Sequence, residues 1–169
     1  MHDPAPIHGF APIARRDARI LVLGSMPSAA SLAAGEYYAH PQNRFWPIVG
    51  ELLGFDPRAP YARRKAALVD AGIALWDVVG SCRREGSLDS AIAEQSIVVN
   101  DFAGLLARHR EIARVCFNGR RAESAWRRYV LRQWPVEPEL DYRLLPSTSP
   151  AHAGMRYRAK LRAWRSALA

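Results

Sequence analysis

Three stretches of this chain hold residue types from which a polar binding pocket is made. The first, YYAHPQNRFW over residues 37–46, sets Tyr38 and Asn43 just ahead of an apolar run that begins at Phe45. An aromatic ring there can stack on a flat ligand, and an amide can orient a water or meet a ligand's polar edge. The same residues have plainer uses, Asn43 as a helix cap or turn residue and Phe45 and Trp46 as core anchors. The second, LGSMPSAASL over residues 23–32, brings Gly24, Ser25, Met26, Pro27 and Ser28 to the end of an apolar run. Small residues with free backbone N–H groups let a phosphate or sugar approach closely, although an ordinary strand-to-helix turn would read the same way. The third, LPSTSPAHAGM over residues 145–155, places the hydroxyls of Ser147, Thr148 and Ser149 between two prolines, with Ala151 and His152 just beyond. Hydroxyls on a stiff loop suit phosphate oxygens. Two further polar residues, Asp77 in ALWDVV and Asn118 in CFNG, interrupt apolar runs near their ends, where a buried hydrogen bond or a ligand must satisfy them.

The elements that must position these residues show as alternating patterns. Four short apolar runs predict strands: RILVLG from Arg19, GIALWDVV from Gly72, ARVCFNG from Ala113 and YRLLP from Tyr142. Between and after them, helical spacing is carried by Phe45, Ile48, Val49, Leu52 and Leu53, then by Phe102, Leu105 and Leu106, then by Ala122, Ala125, Trp126, Tyr129 and Val130. A last helix carries Tyr157, Leu161, Trp164 and Leu168. Alternation of this kind predicts an α/β fold with a largely parallel sheet covered on both faces, and such sheets bind ligands at the carboxyl ends of their strands. That rule selects the segments GSMPSAASL, DVVGSC, FNGRR and PSTSPAHAG. With WPVEPELDY from Trp134 as a connecting loop and no internal repeat, residues 1–169 read as one domain.

Composition narrows the partner. Lys and Arg number 24 against 16 Asp and Glu, a formal charge of +8 that favours a polyanion such as nucleic acid, while an arginine-rich proteome could produce the same balance. No stretch approaches the roughly 18 continuous apolar residues of a membrane span, and the N-terminal MHDPAPIHGF lacks the apolar centre of a signal peptide, so the expectation is a cytoplasmic protein. Cys82 and Cys116 are too few for a four-cysteine metal site, and His40 lacks a second ligand at a metal-binding spacing, so no metal is expected. The GSMPS stretch lacks the Gly-Lys-Ser/Thr ending of a Walker loop and the repeated glycines of a dinucleotide fingerprint.

Taken in order, these motifs resemble the uracil-DNA glycosylase superfamily, and in particular its hypoxanthine-DNA glycosylase family, from about Ile20 to Tyr157. YYAHPQNRFW is also close to the matching stretch of the mismatch-specific uracil/thymine glycosylases, and GSMPS and LPSTSPAHA fall where the superfamily places its two signature motifs. The resemblance implies a three-layer α/β/α sandwich around a mostly parallel four-stranded sheet. It also implies a monomeric, cofactor-free hydrolase that cuts the N-glycosidic bond of a deaminated base in DNA, hypoxanthine first and uracil or xanthine after it.

Residue by residue, the resemblance makes Asn43 the catalytic group that orients water or stabilises the sugar cation, and Tyr38 the ring on which the flipped base stacks. Asp77 matches the position where uracil-specific relatives carry a base-reading asparagine; an ionised carboxylate accepts without donating, which suits the N1–H of hypoxanthine. Asn118, Gly24, Ser25 and Met26 complete the base pocket. Ser28, Ser147, Thr148, Ser149, Ala151 and His152 fall to DNA binding, with Ala151 at the wedge position of relatives and His152 as its bulkier neighbour. Met26 stands where the mismatch-specific branch has an asparagine, and a thioether cannot hold that branch's water. This departure keeps open a non-catalytic protein that binds damaged or abasic DNA. A nucleoside hydrolase would not need the basic surface, and a lyase would need a desolvated lysine, whereas Lys65 and Lys160 are expected on exposed helical faces.

Overall fold

The computed structural model describes residues 3–169, so the first two residues of the N-terminal stretch lie outside it. Its strands are β1 (Ile7–His8), β2 (Ile20–Gly24), β3 (Ile73–Asp77), β4 (Val79–Cys82), β5 (Val98–Val99), β6 (Arg114–Asn118) and β7 (Asp141–Leu145). The helices are α1 (Ala29–Ala34), α2 (Phe45–Leu53), α3 (Tyr61–Asp70), α4 (Phe102–Arg108), α5 (Arg120–Ala125), which runs on through a wide π turn over Trp126–Val130, and α6 (Tyr157–Leu168).

The four predicted strands form one all-parallel sheet in the order β3-β2-β6-β7. The pairing is in register from Ile20 against Ile73 to Gly24 against Asp77, and from Arg114 against Asp141 to Asn118 against Leu145. Gly24, Asp77, Asn118 and Leu145 therefore stand level at the carboxyl end. Both faces are covered, which is why β2, β3 and β6 read as nearly unbroken apolar runs. On one face α2, α3 and α6 pack together, with Phe45 edge-on to Trp164. On the other, Trp76 and Phe117 meet Phe102 of α4 and Trp126, completing three layers.

Two features depart from the sequence reading. The run GIALWDVV is two strands: β3 ends at Asp77, and Val79 opens β4 in a second, antiparallel sheet ordered β1-β4-β5. The backbone leaves the parallel sheet while the side chains stay apolar, because Val79 and Cys82 pack with Met26 in a small core of their own. Helices α1 and α3 were also not foreseen. Among the described residues, no helix is long and apolar enough to cross a membrane.

Candidate active site

The strand tips and the loops after them surround a cleft of about 740 Å³. Its floor is made at β2. A methyl group added to Gly24 would collide with Asp77 Oδ1 and lie 2.8 Å from Tyr38 Oη, so glycine is the residue that lets Asp77 of β3 and Tyr38 of the loop before α2 converge. Asp77 is buried, and its Oδ2 has no hydrogen-bond partner; Tyr38 Oη is likewise buried and unpartnered. Burial, reinforced by the nearby charge of Asp89 and opposed by Arg84, pushes the Asp77 carboxyl up from its ordinary 3.8 to about 7. Burial also drives the Tyr38 phenol upward, with Asp77 adding to the effect, so Tyr38 keeps its proton. Two buried polar groups without partners, in residues that line one cleft, are what a hydrogen-bonding ligand would satisfy.

The YYAHPQNRFW stretch divides at its tyrosines. Tyr37 is core: its hydroxyl donates to Ala11 O at 2.9 Å, and its carbonyl accepts from Trp46 Nε1 at 2.7 Å. Tyr38 turns the other way by adopting a left-handed backbone, φ 55°, which non-glycine residues seldom hold without functional or packing cause. One face of its ring lies on Phe45, centroids 4.2 Å apart, and the ring lines the cleft. Phe45 and Trp46 are buried anchors as the sequence suggests, and His40 makes a structural bond, its Nδ1 accepting from Gln42 N at 3.1 Å.

Asn43 lines the cleft, and its Oδ1 accepts the Phe45 N–H at 2.9 Å, at the start of α2. Cap and pocket roles therefore coincide. A backbone N–H can donate only to the amide oxygen, so the bond fixes which way the side chain points and leaves the NH₂ end to donate. The amide is preorganised, with no rotamer left to freeze.

Asn118 and Thr148 form a closed pair: Asn118 Nδ2 donates to Thr148 Oγ1 at 2.9 Å, and Thr148 N donates to Asn118 Oδ1 at 2.9 Å. This corrects the expectation for Thr148. Its side chain is fully buried, with Oγ1 accepting from Asn118, so it fastens the 146–152 loop to β6, and burial keeps it from a phosphate. Asn118 is correspondingly a buried strut that still borders the cleft. Arg44 N adds a second tie by donating to Thr148 O at 2.9 Å, joining the Asn43 stretch to the same loop.

Ser147 and Ser149 are only partly buried and line the cleft. Ser147 Oγ accepts from Ser149 N at 3.1 Å and Ser149 Oγ accepts from Ala151 N at 3.2 Å, which leaves each O–H free to donate outward. Ser28 is committed to capping α1, accepting from Ser31 N at 3.2 Å. Ala151 and His152 are exposed at the rim. Lys160 reverses the expectation of an exposed lysine: it is 3% exposed, and its ammonium donates to Ser147 O at 2.7 Å and His152 O at 2.6 Å. Burial, and secondarily Arg44, lower its pKa, and its bonds brace the loop from behind. Among the described residues no three His, Cys, Asp or Glu gather as a metal site.

Residues 11–168 match the family model described as the Uracil DNA glycosylase superfamily. The chain belongs to this superfamily of DNA glycosylases. It is 39% identical over 115 residues to a hypoxanthine DNA glycosylase of Methanosarcina acetivorans, covering 68% of this chain and 72% of that one. A protein of the same name from Methanosarcina barkeri is 36% identical over the same shares. The solution NMR structure of a candidate uracil DNA glycosylase from M. acetivorans superposes with a TM-score of 0.80 at 32% identity, over 97% of both chains.

One part of the glycosylase cleft was missed from sequence, the segment from Arg83 to Ile92. Arg84 is buried, donating Nη2 to Pro27 O at 2.6 Å and Nε to Gly86 O at 3.0 Å, while the Ser25 hydroxyl donates to Asp89. Ser25 is thereby occupied from the side, and Met26 packs inward with Val79 and Cys82 while bordering the cleft. In sequence RREGSLDSA reads as a solvated connector, and the pairing of Arg84 with backbone carbonyls leaves no local signature.

Proposed function

We propose that this glycosylase excises hypoxanthine from DNA by hydrolysing the N-glycosidic bond of a nucleotide flipped into the cleft. The observation that carries the reading is a pair of buried, unpartnered polar atoms, Asp77 Oδ2 and Tyr38 Oη, in residues that line the same cleft as the oriented Asn43 amide. The two curated relatives of Methanosarcina, by the names they bear, support the choice of base. A base in the duplex stack is unreachable, so it must be extruded, at a cost of a few kcal/mol that is smaller for a mispaired base. Once inside, it lies along the free face of Tyr38. Asp77 accepts the base's N1–H when ionised and, below about pH 7, also has a proton to donate to a carbonyl.

The reaction breaks the C1′–N9 bond with its electron pair leaving on the base. Water adds to C1′, and the proton it loses balances the charge taken by the base. Positive charge builds on the sugar during this step, and the Asn43 amide, oriented by its bond to α2, holds the water through its NH₂ end or meets that charge with the second lone pair of Oδ1. Ser147 and Ser149 direct their O–H groups to backbone phosphates flanking the flipped nucleotide.

The test is a duplex with one deoxyinosine. The purified protein should leave an alkali-labile abasic site, and Asn43→Ala should bind that duplex while turning over about 100-fold more slowly. A folded, DNA-binding protein that makes no abasic site at deoxyinosine or deoxyuridine would refute the enzymatic reading and leave a damage-binding protein in its place.

A further inference from the structure

Extruding a nucleotide leaves a hole in the base stack, and nothing assigned so far fills it. Ala151, at the position where relatives carry a wedge, offers one methyl group. His152 beside it is exposed, but an imidazole would take two ring nitrogens into a base stack where they need partners. Across the cleft, the segment after β4 carries a large apolar side chain with nowhere to go. Leu88 is 61% exposed and borders the cleft.

Its neighbours are fixed while it is not. Ser87 Oγ accepts the Ala29 N–H at 2.8 Å on one side, and on the other Asp89 accepts the Ser25 hydroxyl. The buried Arg84 guanidinium stands beneath, bonded to Pro27 O and Gly86 O and 3.9 Å from Asp89. Leu88 itself is extended, φ −80° and ψ 133°, so its side chain projects from a braced segment. An exposed leucine on a mobile loop is common; one held between two pinned residues at a pocket mouth is placed to be buried by a partner.

We infer that Leu88 is the wedge of this glycosylase, entering the duplex stack in the space vacated by the flipped nucleotide. Burying its apolar surface between bases offsets part of the unstacking cost, and the rigid support from Arg84 keeps it from folding back. The inference rests on the cleft being the pocket for a flipped base. It predicts a difference between substrates, because a single strand has no opposing stack to fill.

The experiment compares Leu88→Ala with the native protein on deoxyinosine in duplex and in single-stranded DNA at single turnover, and follows 2-aminopurine placed beside the lesion. The duplex-to-single-strand rate ratio should fall about tenfold, the 2-aminopurine rise on binding should be lost, and Leu88→Phe should restore both. Equal losses on the two substrates, or no loss, would overturn the wedge. Should the native protein excise from neither substrate, the glycosylase reading fails separately. The fluorescence then decides: a rise with the native protein that Leu88→Ala lacks supports insertion, and any other pattern refutes it.

Discussion

Replacing Asp77 by asparagine keeps the shape of the side chain and removes its charge, so the variant isolates the cost of burying a carboxylate beneath the cleft. In the unfolded chain this group ionises near its ordinary 3.8, and in the folded protein near 7. Between those values the folded state binds one more proton than the unfolded state, so the native protein loses stability as pH rises through that window. Above about pH 7 both states are ionised and the loss is complete. The gap of about three units corresponds to about 4 kcal/mol in full, of which about 2–3 kcal/mol develops between pH 5 and pH 8. Asp77→Asn carries none of this. Urea unfolding at pH 5, 6, 7 and 8, read by the fluorescence of the five tryptophans, should show the variant gaining on the native protein by that amount as pH increases. Other titrations are common to both proteins and drop out of the difference. Parallel stabilities, with the gap widening by less than about 0.5 kcal/mol, would mean that Asp77 is not a buried acid with a raised pKa, and the account of the pocket floor would fall with it.

Other substitutions test other joints of the site. The amide of Asp77→Asn can donate to uracil O4, so its excision of uracil relative to hypoxanthine should rise, measured on matched duplexes at pH 8. Gly24→Ala should push Asp77 and Tyr38 aside by about 1 Å, leaving the thermal midpoint nearly unchanged if the cleft absorbs the shift while turnover drops about 100-fold. Lys160→Met leaves the carbonyls of Ser147 and His152 without their donor. A loss of about 2–4 kcal/mol in urea unfolding and faster trypsin cleavage at the exposed Arg156 are expected.

The parallel sheet was legible because β2, β3 and β6 are apolar on both faces, with Gly24 and Asn118 closing two of the runs and Pro146 following β7, the edge strand. The convergence of the loops followed from that topology. Side-chain partners were harder to see. Ser147, Thr148 and Ser149 are chemically alike in sequence, and only the reach of Asn118 across from β6 makes the middle one internal. Lys160 did carry a signal that was passed over: it lies three residues after Tyr157 and four before Trp164, on the apolar stripe of α6. The second sheet was hidden because β4 follows β3 after one residue, without a turn to mark the change.

The brace of Lys160 also has a bearing on how the protein is made. The cleft draws on Gly24 of β2 and on a loop whose back is held from position 160, with strands from Ile73 to Leu145 between them in sequence. A chain emerging from the ribosome in order has β2 and β3 early, yet β2 must wait for β6 on its other edge, and the serine loop waits for α6. Sheets of this kind close late, through contacts distant in sequence. The serine side of the cleft thus takes its final position only once α6 has been made and packed, later than the parallel strands that carry its floor.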